Sequence, residues 1–201
     1  VIIITTKSGK IGKPKFNFRY SEGMTRFVKT PDFVDAPKYM EVANEALMTR
    51  GENPRYSAYD IRMTRTGADP FLYPNVDWVN EIFRNYSYNT RTNVNVSGGT
   101  STVKYFVSGA YYYENSFFRE DPMQNYNTSI FYRKFNFRAN VDVKITQHTT
   151  LNMNIANTFE QKNMPGTGSS NIYAHALMTP AISFPIVYSN GYLPGPGGGN
   201  Q

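Results

Sequence analysis

The stretch from Tyr88 to Gln161 alternates apolar and polar residues with a period of two, and this pattern constrains the fold more than any other feature. Successive side chains of a β-strand point to opposite faces, so the alternation predicts strands with one apolar and one polar side. Residues 15–21 show the same pattern. We therefore predict five strands, near 15–21, 88–98, 102–113, 131–145 and 149–161.

The connections between the predicted strands alternate in length. The turns after the second and fourth strands are only a few residues long, whereas the connections 22–87, 114–130 and 162–201 are long. An outer-membrane β-barrel has short periplasmic turns and long outer loops, with aromatic residues near the strand ends. Aromatic residues occupy such positions at Tyr88, Tyr111, Tyr113, Phe131 and Phe159. The sequence predicts an all-β fold, part of a large antiparallel transmembrane β-barrel.

The long connections are predicted to carry short helices. Pro37 to Arg50 has a proline in its first turn and is followed by Gly51, as expected of a helix. A short helix is predicted after Asp77, which would cap it, and one helical turn near 172–178. The segment 53–74 is rich in Pro, Tyr, Asn, Asp and Gly, and it is predicted to be irregular.

Composition limits the classes of function. The net charge is +6, but Lys and Arg are spread along the strands, which favours solvated faces over a nucleic-acid site. The absence of cysteine excludes disulfides and thiolate metal sites. No apolar run approaches the length of a transmembrane helix. The chain begins inside a strand-like run, residues 1–6, without a signal peptide, so we expect it to be a piece of a longer protein.

No catalytic or metal-binding constellation is present in the sequence. The two histidines, His148 and His175, fall in a predicted turn and a predicted helical turn, and a metal site needs three or four convergent ligands. The glycine-rich stretches 97–99 and 195–199 lack the strand–loop–helix context of a phosphate-binding loop. We predict neither enzymatic activity nor a cofactor.

On a barrel, the polar side of each strand would face a wide, wet lumen. The candidate lumen-facing residues are Arg91, Asn93, Asn95, Arg138 and Asn140. These side chains would hydrogen-bond a passing solute, bind the water that fills the channel, or hold a plug through hydrogen bonds. Arg133 falls on the opposite, outward side, where it is tolerated only because it lies near the long-loop end.

Aromatic residues in and beside the first long connection are candidates for ligand contact. Aromatic rings stack on sugars, and the candidates are Phe71, Tyr73, Trp78 and Tyr86. The alternative is that Trp78, the only tryptophan, packs its short helix onto the loop that carries it. The family resemblance described below favours this packing role, because the Asp77-Trp78 pair looks like a framework feature.

Several stretches, in this order along the chain, resemble the SusC/RagA family of TonB-dependent outer-membrane transporters of Bacteroidetes. Residues 1–10 resemble the end of the plug domain of TonB-dependent receptors. The stretches that resemble the SusC/RagA family are Asp77-Trp78, Glu81-Ile82-Phe83, 93–99, 104–109, 135–142 and 178–181. Each motif is weak alone, but the ordered set is specific.

The resemblance implies a division at residue 10 and a transport function. Residues 1–10 would be the C-terminal end of the plug, and 11–201 the N-terminal part of the barrel. The whole protein would import oligosaccharides, such as starch-like glycans, or peptides across the outer membrane. The implied partners are a SusD-like surface lipoprotein, the TonB–ExbB–ExbD complex, outer-membrane lipid and the cargo, with no nucleic acid.

Two alternatives stay open at this point. The first is a siderophore or vitamin receptor of the same fold, against which the 77–78 and 93–99 motifs argue. The second is a soluble β-rich glycan-binding or adhesin module, which would bury one sheet face against a second sheet. Loops of similar length at both ends would be expected of such a module, and the alternation of long and short connections argues against it.

Overall fold

The structure is a computed structural model that describes residues 7–121 and 125–194. Within these ranges the chain forms five strands, β1 (Gly12–Arg26), β2 (Tyr86–Gly99), β3 (Val103–Asn115), β4 (Phe131–Lys144) and β5 (Thr150–Asn163). The same ranges contain four helices, α1 (Ala36–Met48), α2 (Ala58–Thr66), α3 (Trp78–Ile82) and α4 (Ser169–Met178). The chain divides into a sheet unit, which holds the strands, and a helical unit. The unit boundaries follow Phe27, Phe83 and Gly166.

The five strands form one antiparallel sheet in the order β1-β2-β3-β4-β5, so each strand pairs with its neighbour in sequence. The prediction of an all-β fold built on about five antiparallel strands is confirmed. Two predicted features, the strand-like run 1–6 and the glycine-rich stretch 195–199, lie outside the described residues.

The first strand is longer than the sequence pattern indicated. The bounds of β2 to β5 lie within two residues of the predicted ones, but β1 covers Gly12–Arg26 instead of 15–21. The extension follows from pairing, because β2 begins at Tyr86 and its first residues hydrogen-bond a continuing β1, with Arg26 opposite Tyr86. The first long connection therefore runs from 27 to 85.

A tight turn joins β2 to β3. The Thr100 hydroxyl accepts hydrogen bonds from the backbone N–H groups of Thr102 and Val103, at 3.2 and 3.1 Å. Gly99 precedes this turn, and a Cβ atom there would lie 2.6 Å from the Val103 carbonyl oxygen. The close approach of the two strands therefore requires glycine at this position.

Helix α1 begins as its capping residue predicts. The Asp35 side chain accepts a hydrogen bond from the Lys38 N–H at 3.0 Å, and Pro37 occupies the first turn, where its missing N–H costs nothing. The chain leaves the helix through Gly51, which has a positive φ of 74°. The predicted capping of α3 is also present, since the Asp77 carboxylate accepts from the Asn80 N–H at 3.0 Å.

The expectation of an irregular segment at 53–74 was wrong, because α2 lies within it. Ser57 and Asp60 form a capping box in which each side chain accepts from the other residue's backbone N–H. Gly67 ends the helix in the left-handed region, with a φ of 63°. Two helix-boundary signals thus outweighed the turn-forming composition around them. Helix α4 is also longer than the single turn expected.

Among the described residues, the buried apolar side chains Ala36, Pro37, Met40, Phe83 and Ala176 all belong to the helical unit. Buried Asn44 fixes the chain after α1, since its amide oxygen accepts from the Arg55 and Tyr56 N–H groups, both at 2.9 Å. Its amide nitrogen donates to the Tyr56 carbonyl at 2.7 Å. One side chain thus satisfies three backbone groups between α1 and α2.

We expect Asn44→Ala to loosen the segment that follows α1. The substitution leaves backbone groups of Arg55 and Tyr56 without hydrogen-bond partners, which costs about 1–3 kcal/mol of folding free energy for a buried group. The population of locally open forms therefore rises. Trypsin should cleave at Arg50 or Arg55 about tenfold faster in the complete protein. The control is Asn53→Ala at an exposed position. Equal cleavage rates for the two variants would contradict this role of Asn44.

Candidate functional site

The pairing register separates the side chains of the sheet into two faces. The apolar face carries Phe16, Phe18, Val94, Val96, Val107, Tyr111, Phe135, Phe137, Ala139, Val141, Val143, Met153, Ile155 and Phe159. The polar face carries Asn17, Arg19, Arg91, Asn93, Asn95, Lys104, Ser108, Tyr112, Lys134, Asn136, Arg138, Asn140, Asn154 and Glu160. From Lys15 onward β1 and the other four strands keep one register, so each face has one prevailing chemistry, with exceptions such as Phe106 on the polar face and Asn157 on the apolar face.

The apolar face is uncovered. None of the described apolar residues of the sheet is buried, and Phe16, Phe137 and Ile155 are 67%, 47% and 47% exposed. Burying apolar surface stabilises a protein by about 25 cal/mol per Å². A face of apolar side chains that extends over five strands is therefore stable only when an apolar medium or another layer of protein covers it. The stretch of β4 from Phe135 to Val143, whose alternate residues form the apolar side, is about as long as the roughly nine to eleven residues with which a tilted strand crosses a bilayer.

An aromatic row marks the end of the apolar face nearest the long connections. Tyr111 packs against Phe135 with ring centroids 4.7 Å apart, and Phe135 is 6.2 Å from Phe159. One step further along the strands, the same face carries Glu22, Thr90, Tyr113, Arg133 and Gln161 in register. Toward the long connections, the face therefore changes from mixed aliphatic and aromatic residues to an aromatic row and then to a polar row, as at a membrane–water interface.

A group of tyrosines and charged residues covers the polar face near the same end. We call it the tyrosine–charge cluster, and its members are Arg91, Tyr112, Glu114, Tyr132, Lys134, Glu160 and Lys162. The Arg91 guanidinium lies 5.2 Å from the Tyr112 ring centroid, and the Tyr112 hydroxyl donates to Glu114 Oε2 at 2.8 Å. The Tyr112 and Tyr132 ring centroids are 6.0 Å apart.

The cluster continues across β4 and β5. Lys134 Nζ donates to Glu160 Oε1 at 2.8 Å, and Lys162 Nζ lies 5.3 Å from the Tyr132 ring centroid. The Lys134 and Glu160 side chains are 36% and 38% exposed, so their pairing contributes little to stability. Ring faces and both signs of charge thus stand on the polar face, where a sugar ring or a peptide would find stacking and hydrogen-bonding partners.

The chain before β1 lies against this same polar face. Asn140, only 5% exposed, donates from Nδ2 to the Lys7 carbonyl oxygen at 2.7 Å. A Cβ atom on Gly9 would lie 2.2 Å from the Tyr105 backbone nitrogen, so the segment touches the backbone of β3. Only glycine permits this approach. The polar face is therefore in contact with the segment that precedes the sheet.

The structure places all five predicted lumen-facing residues on the polar face. Arg91 belongs to the tyrosine–charge cluster, and Asn95 Oδ1 accepts from Asn17 Nδ2 at 3.1 Å. Asn93 lies between them on β2, opposite Ala110. Arg138 lines an open space of about 400 Å³ together with Lys7 and Ser108. Contact of these residues with a solute stays a prediction.

The predicted loop aromatics pack against different partners. Phe71 contacts Tyr188 with centroids 6.2 Å apart, and Tyr73 contacts Tyr59 at 6.4 Å. Partial burial raises the pKa of the Tyr73 phenol, with further increases from Tyr59, Asp60 and Asp69, so this hydroxyl stays protonated and able to donate near neutral pH. Tyr86 begins β2 in the sheet unit.

Trp78 joins two parts of the helical unit. Its Nε1 donates to the Pro180 carbonyl oxygen at 3.3 Å, and its ring centroid is 4.9 Å from that of Phe184. The neighbouring Val76 N–H donates to the Ala181 carbonyl at 3.0 Å. Trp78 also lines a groove of about 530 Å³ with Tyr39. Trp78 therefore has a packing role, but its partners Pro180 and Phe184 lie in the last connection and not, as had been predicted, in the loop that carries its helix.

Two further properties concern only the described residues, 7–121 and 125–194. No group of three or more His, Asp or Glu side chains in them is arranged to hold a metal ion. None of their helices is long and apolar enough to cross a membrane.

Comparison with known proteins gives one relative in sequence and a shared fold. No protein-family model matches the chain. It is 27% identical over 155 residues to TonB-dependent receptor P3 of Formosa agariphila, an alignment that covers 77% of this chain and 13% of the receptor. Two solved structures, the RagAB peptide transporter and the RagAB peptide importer in the closed-closed state, match with a TM-score of 0.62 and 16% identity.

Each RagAB match covers 94% of this chain and 23% of the solved chain. The chain thus spans about an eighth of the receptor and about a quarter of the matched RagAB chain. It is similar in sequence to a TonB-dependent receptor, and its fold is that of part of RagAB.

Proposed function

We propose that this chain is part of a TonB-dependent transporter of the SusC/RagA type in the outer membrane. The observation that carries the proposal is the sheet itself, with one uncovered apolar face and one polar face crossed by the preceding segment. Lipid would cover the apolar face, and the polar face would line the lumen. In this arrangement residues 1–10 end the plug, and 11–201 begin a multi-pass barrel with outer loops at 27–85, 116–130 and beyond Asn163.

The proposed activity is the import of oligosaccharides or peptides, without enzymatic chemistry. The similar RagAB structures are described as a peptide importer and a peptide transporter, which supports peptides as one cargo class. Tyrosine ring faces on the polar side support sugars equally, because rings of this kind stack on them. Energy would come from TonB–ExbB–ExbD acting on the plug.

A SusD-like lipoprotein is the proposed partner at the outer face. The helical unit exposes several large apolar side chains, among them Leu72 (73%), Met178 (78%) and Tyr192 (72%). Such surface is expected where another protein or the rest of the barrel packs. Co-purification of a lipoprotein with the complete protein in detergent tests this partner, and a protein soluble without detergent would contradict the membrane location.

The two alternative functions make different predictions. A siderophore or vitamin receptor would keep the lipid-facing and lumen-facing sides but bind a small ligand without a lipoprotein. A soluble adhesin-like module would need a second sheet over the apolar face. The similarity to a TonB-dependent receptor favours the transporter class over the soluble module.

We expect Tyr112→Ala and Tyr132→Ala to weaken cargo binding by about threefold to tenfold each, since each removes an aromatic contact. Calorimetric titration of the complete protein with maltoheptaose and with a mixed peptide library would measure the effect and separate the two cargo classes. The matched control is Tyr111→Ala, which alters the apolar face of the same strand. Unchanged binding of both probes in the Tyr112 and Tyr132 variants would exclude the tyrosine–charge cluster as a cargo site.

We expect Asn140→Ala and Gly9→Val to detach the segment that contacts the polar face. The first removes the hydrogen bond to the Lys7 carbonyl, and the second places a side chain where the β3 backbone lies. Hydrogen exchange of the backbone amides in residues 7–11 should accelerate at least about tenfold, because the loss of one such contact lowers the free energy of opening the segment. Asn154→Ala, opposite Asn140 on the same face, should leave the exchange rates unchanged. Slow exchange in all three variants would contradict the proposed anchoring of the plug.

A further inference from the structure

Arg133 is a cation on the apolar face of the sheet. It lies opposite Tyr113 on β3 and Gln161 on β5, one step beyond the row that contains Phe135. It is also the third residue of β4, close to the connection 116–130. A charge on this face is tolerated only where the hydrocarbon layer ends, because the cost of an outward-facing arginine falls toward zero near the interface.

The surroundings of Arg133 contain rings but no anion. Its guanidinium carbon lies 4.4 Å from the Phe131 ring centroid and 5.5 Å from that of Tyr113. The Nε atom is buried and has no hydrogen-bond partner in the described part of the chain. Among the described residues, no carboxylate lies within ion-pair distance of Arg133. The two rings offset part of the hydration that the cation loses, but no anion among the described residues balances its charge.

Further strands of a barrel would not supply the missing partner. Because β4 is an interior strand, both of its neighbours are already in place. The nearest carboxylate in the same register row is Glu22 on β1, three strands away, which is about 14 Å at the usual strand spacing. What covers Arg133 must lie above the face, in the layer that bounds the lipid.

We propose that Arg133 binds the phosphate of a lipid headgroup in the leaflet at the long-loop side of the sheet. A guanidinium presents paired N–H donors that match two phosphate oxygens, and its charge offsets that of the phosphate. The Tyr113 hydroxyl and the Gln161 amide flank Arg133 and are neutral donors for the same group. The acyl chains of the lipid would lie against Tyr111, Phe135 and Phe159.

This inference rests on the proposed membrane location, and its test separates the two. The complete protein, purified in a neutral detergent, is analysed by native mass spectrometry with added phosphatidic acid or with diacylglycerol of the same acyl chains. The proposal predicts that phosphatidic acid is retained and diacylglycerol is lost. A protein that needs no detergent would overturn the membrane location, whereas a detergent-dependent protein that retains both lipids equally would overturn only the phosphate site.

Arg133→Met tests the residue directly. An apolar side chain on this face is well tolerated in lipid, so the variant is expected to fold, and heat-modifiable mobility on electrophoresis verifies this. Its apparent affinity for phosphatidic acid should fall at least about fivefold, as expected from one basic residue near a charged surface. Arg133→Lys should retain part of the affinity, because it keeps the charge but loses the paired donors.

Arg138→Met is the matched control, since it removes an arginine from the same strand on the polar face. It should retain phosphatidic acid as the unmodified protein does. Equal loss of bound phosphatidic acid in the Arg133 and Arg138 variants would show a general effect of charge and would overturn the proposed phosphate site. Unchanged retention in Arg133→Met would overturn it as well, and would leave a ring-packing role for Arg133.

Discussion

Because the five strands are paired in one register, the position of a residue along its strand decides whether its side chain lies on the apolar or the polar face. Pairing keeps Phe18, Val94, Gly109 and Phe137 in one row and their neighbours in sequence on the other side. A shift of one residue in any strand would place its polar residues among the apolar ones, and its apolar residues among the polar ones. Among the described residues of its unit, no second layer covers the apolar face of the sheet, so the two faces require two different media. The proposed lipid on one side and the proposed wet lumen on the other satisfy this requirement.

Local chemistry supports the same division. The charged residues that are paired in register on the apolar face all lie near the long connections. Glu22 and Arg133 lie in the row beyond Phe135, and Arg26 lies further along β1. On the polar face, glycine and asparagine bring the preceding chain into contact with β3 and β4. The tyrosine–charge cluster stands at the end of this face that is nearest the long connections. In the proposed transporter, a solute that enters at the long-connection end of the sheet would meet these rings and charges before it meets the segment held by Asn140.

The sheet was predictable because alternation over many residues is a strong signal. The local departures from this pattern could not be predicted from it. The extension of β1 was missed because Glu22 and Arg26 place charges on the apolar side, where pairing with β2 outweighs the pattern. Helix α2 was missed although Ser57 and Gly67 mark its ends. The cluster tyrosines were overlooked because tyrosine suits either face, and runs such as 111–113 show no alternation. Only the register separates Tyr112 from its neighbours.

The most direct test of this account compares two adjacent positions of β2. Spin labels attached to Val94→Cys and Asn95→Cys, in a cysteine-free form of the complete protein in lipid bilayers, report collisions with oxygen and with a water-soluble nickel chelate. We expect the label at position 94 to be more accessible to oxygen than to the chelate, because oxygen concentrates in lipid. The label at position 95 should be shielded from lipid and more accessible to the chelate than to oxygen. Equal accessibility of both labels to the chelate would contradict the assignment of the two faces.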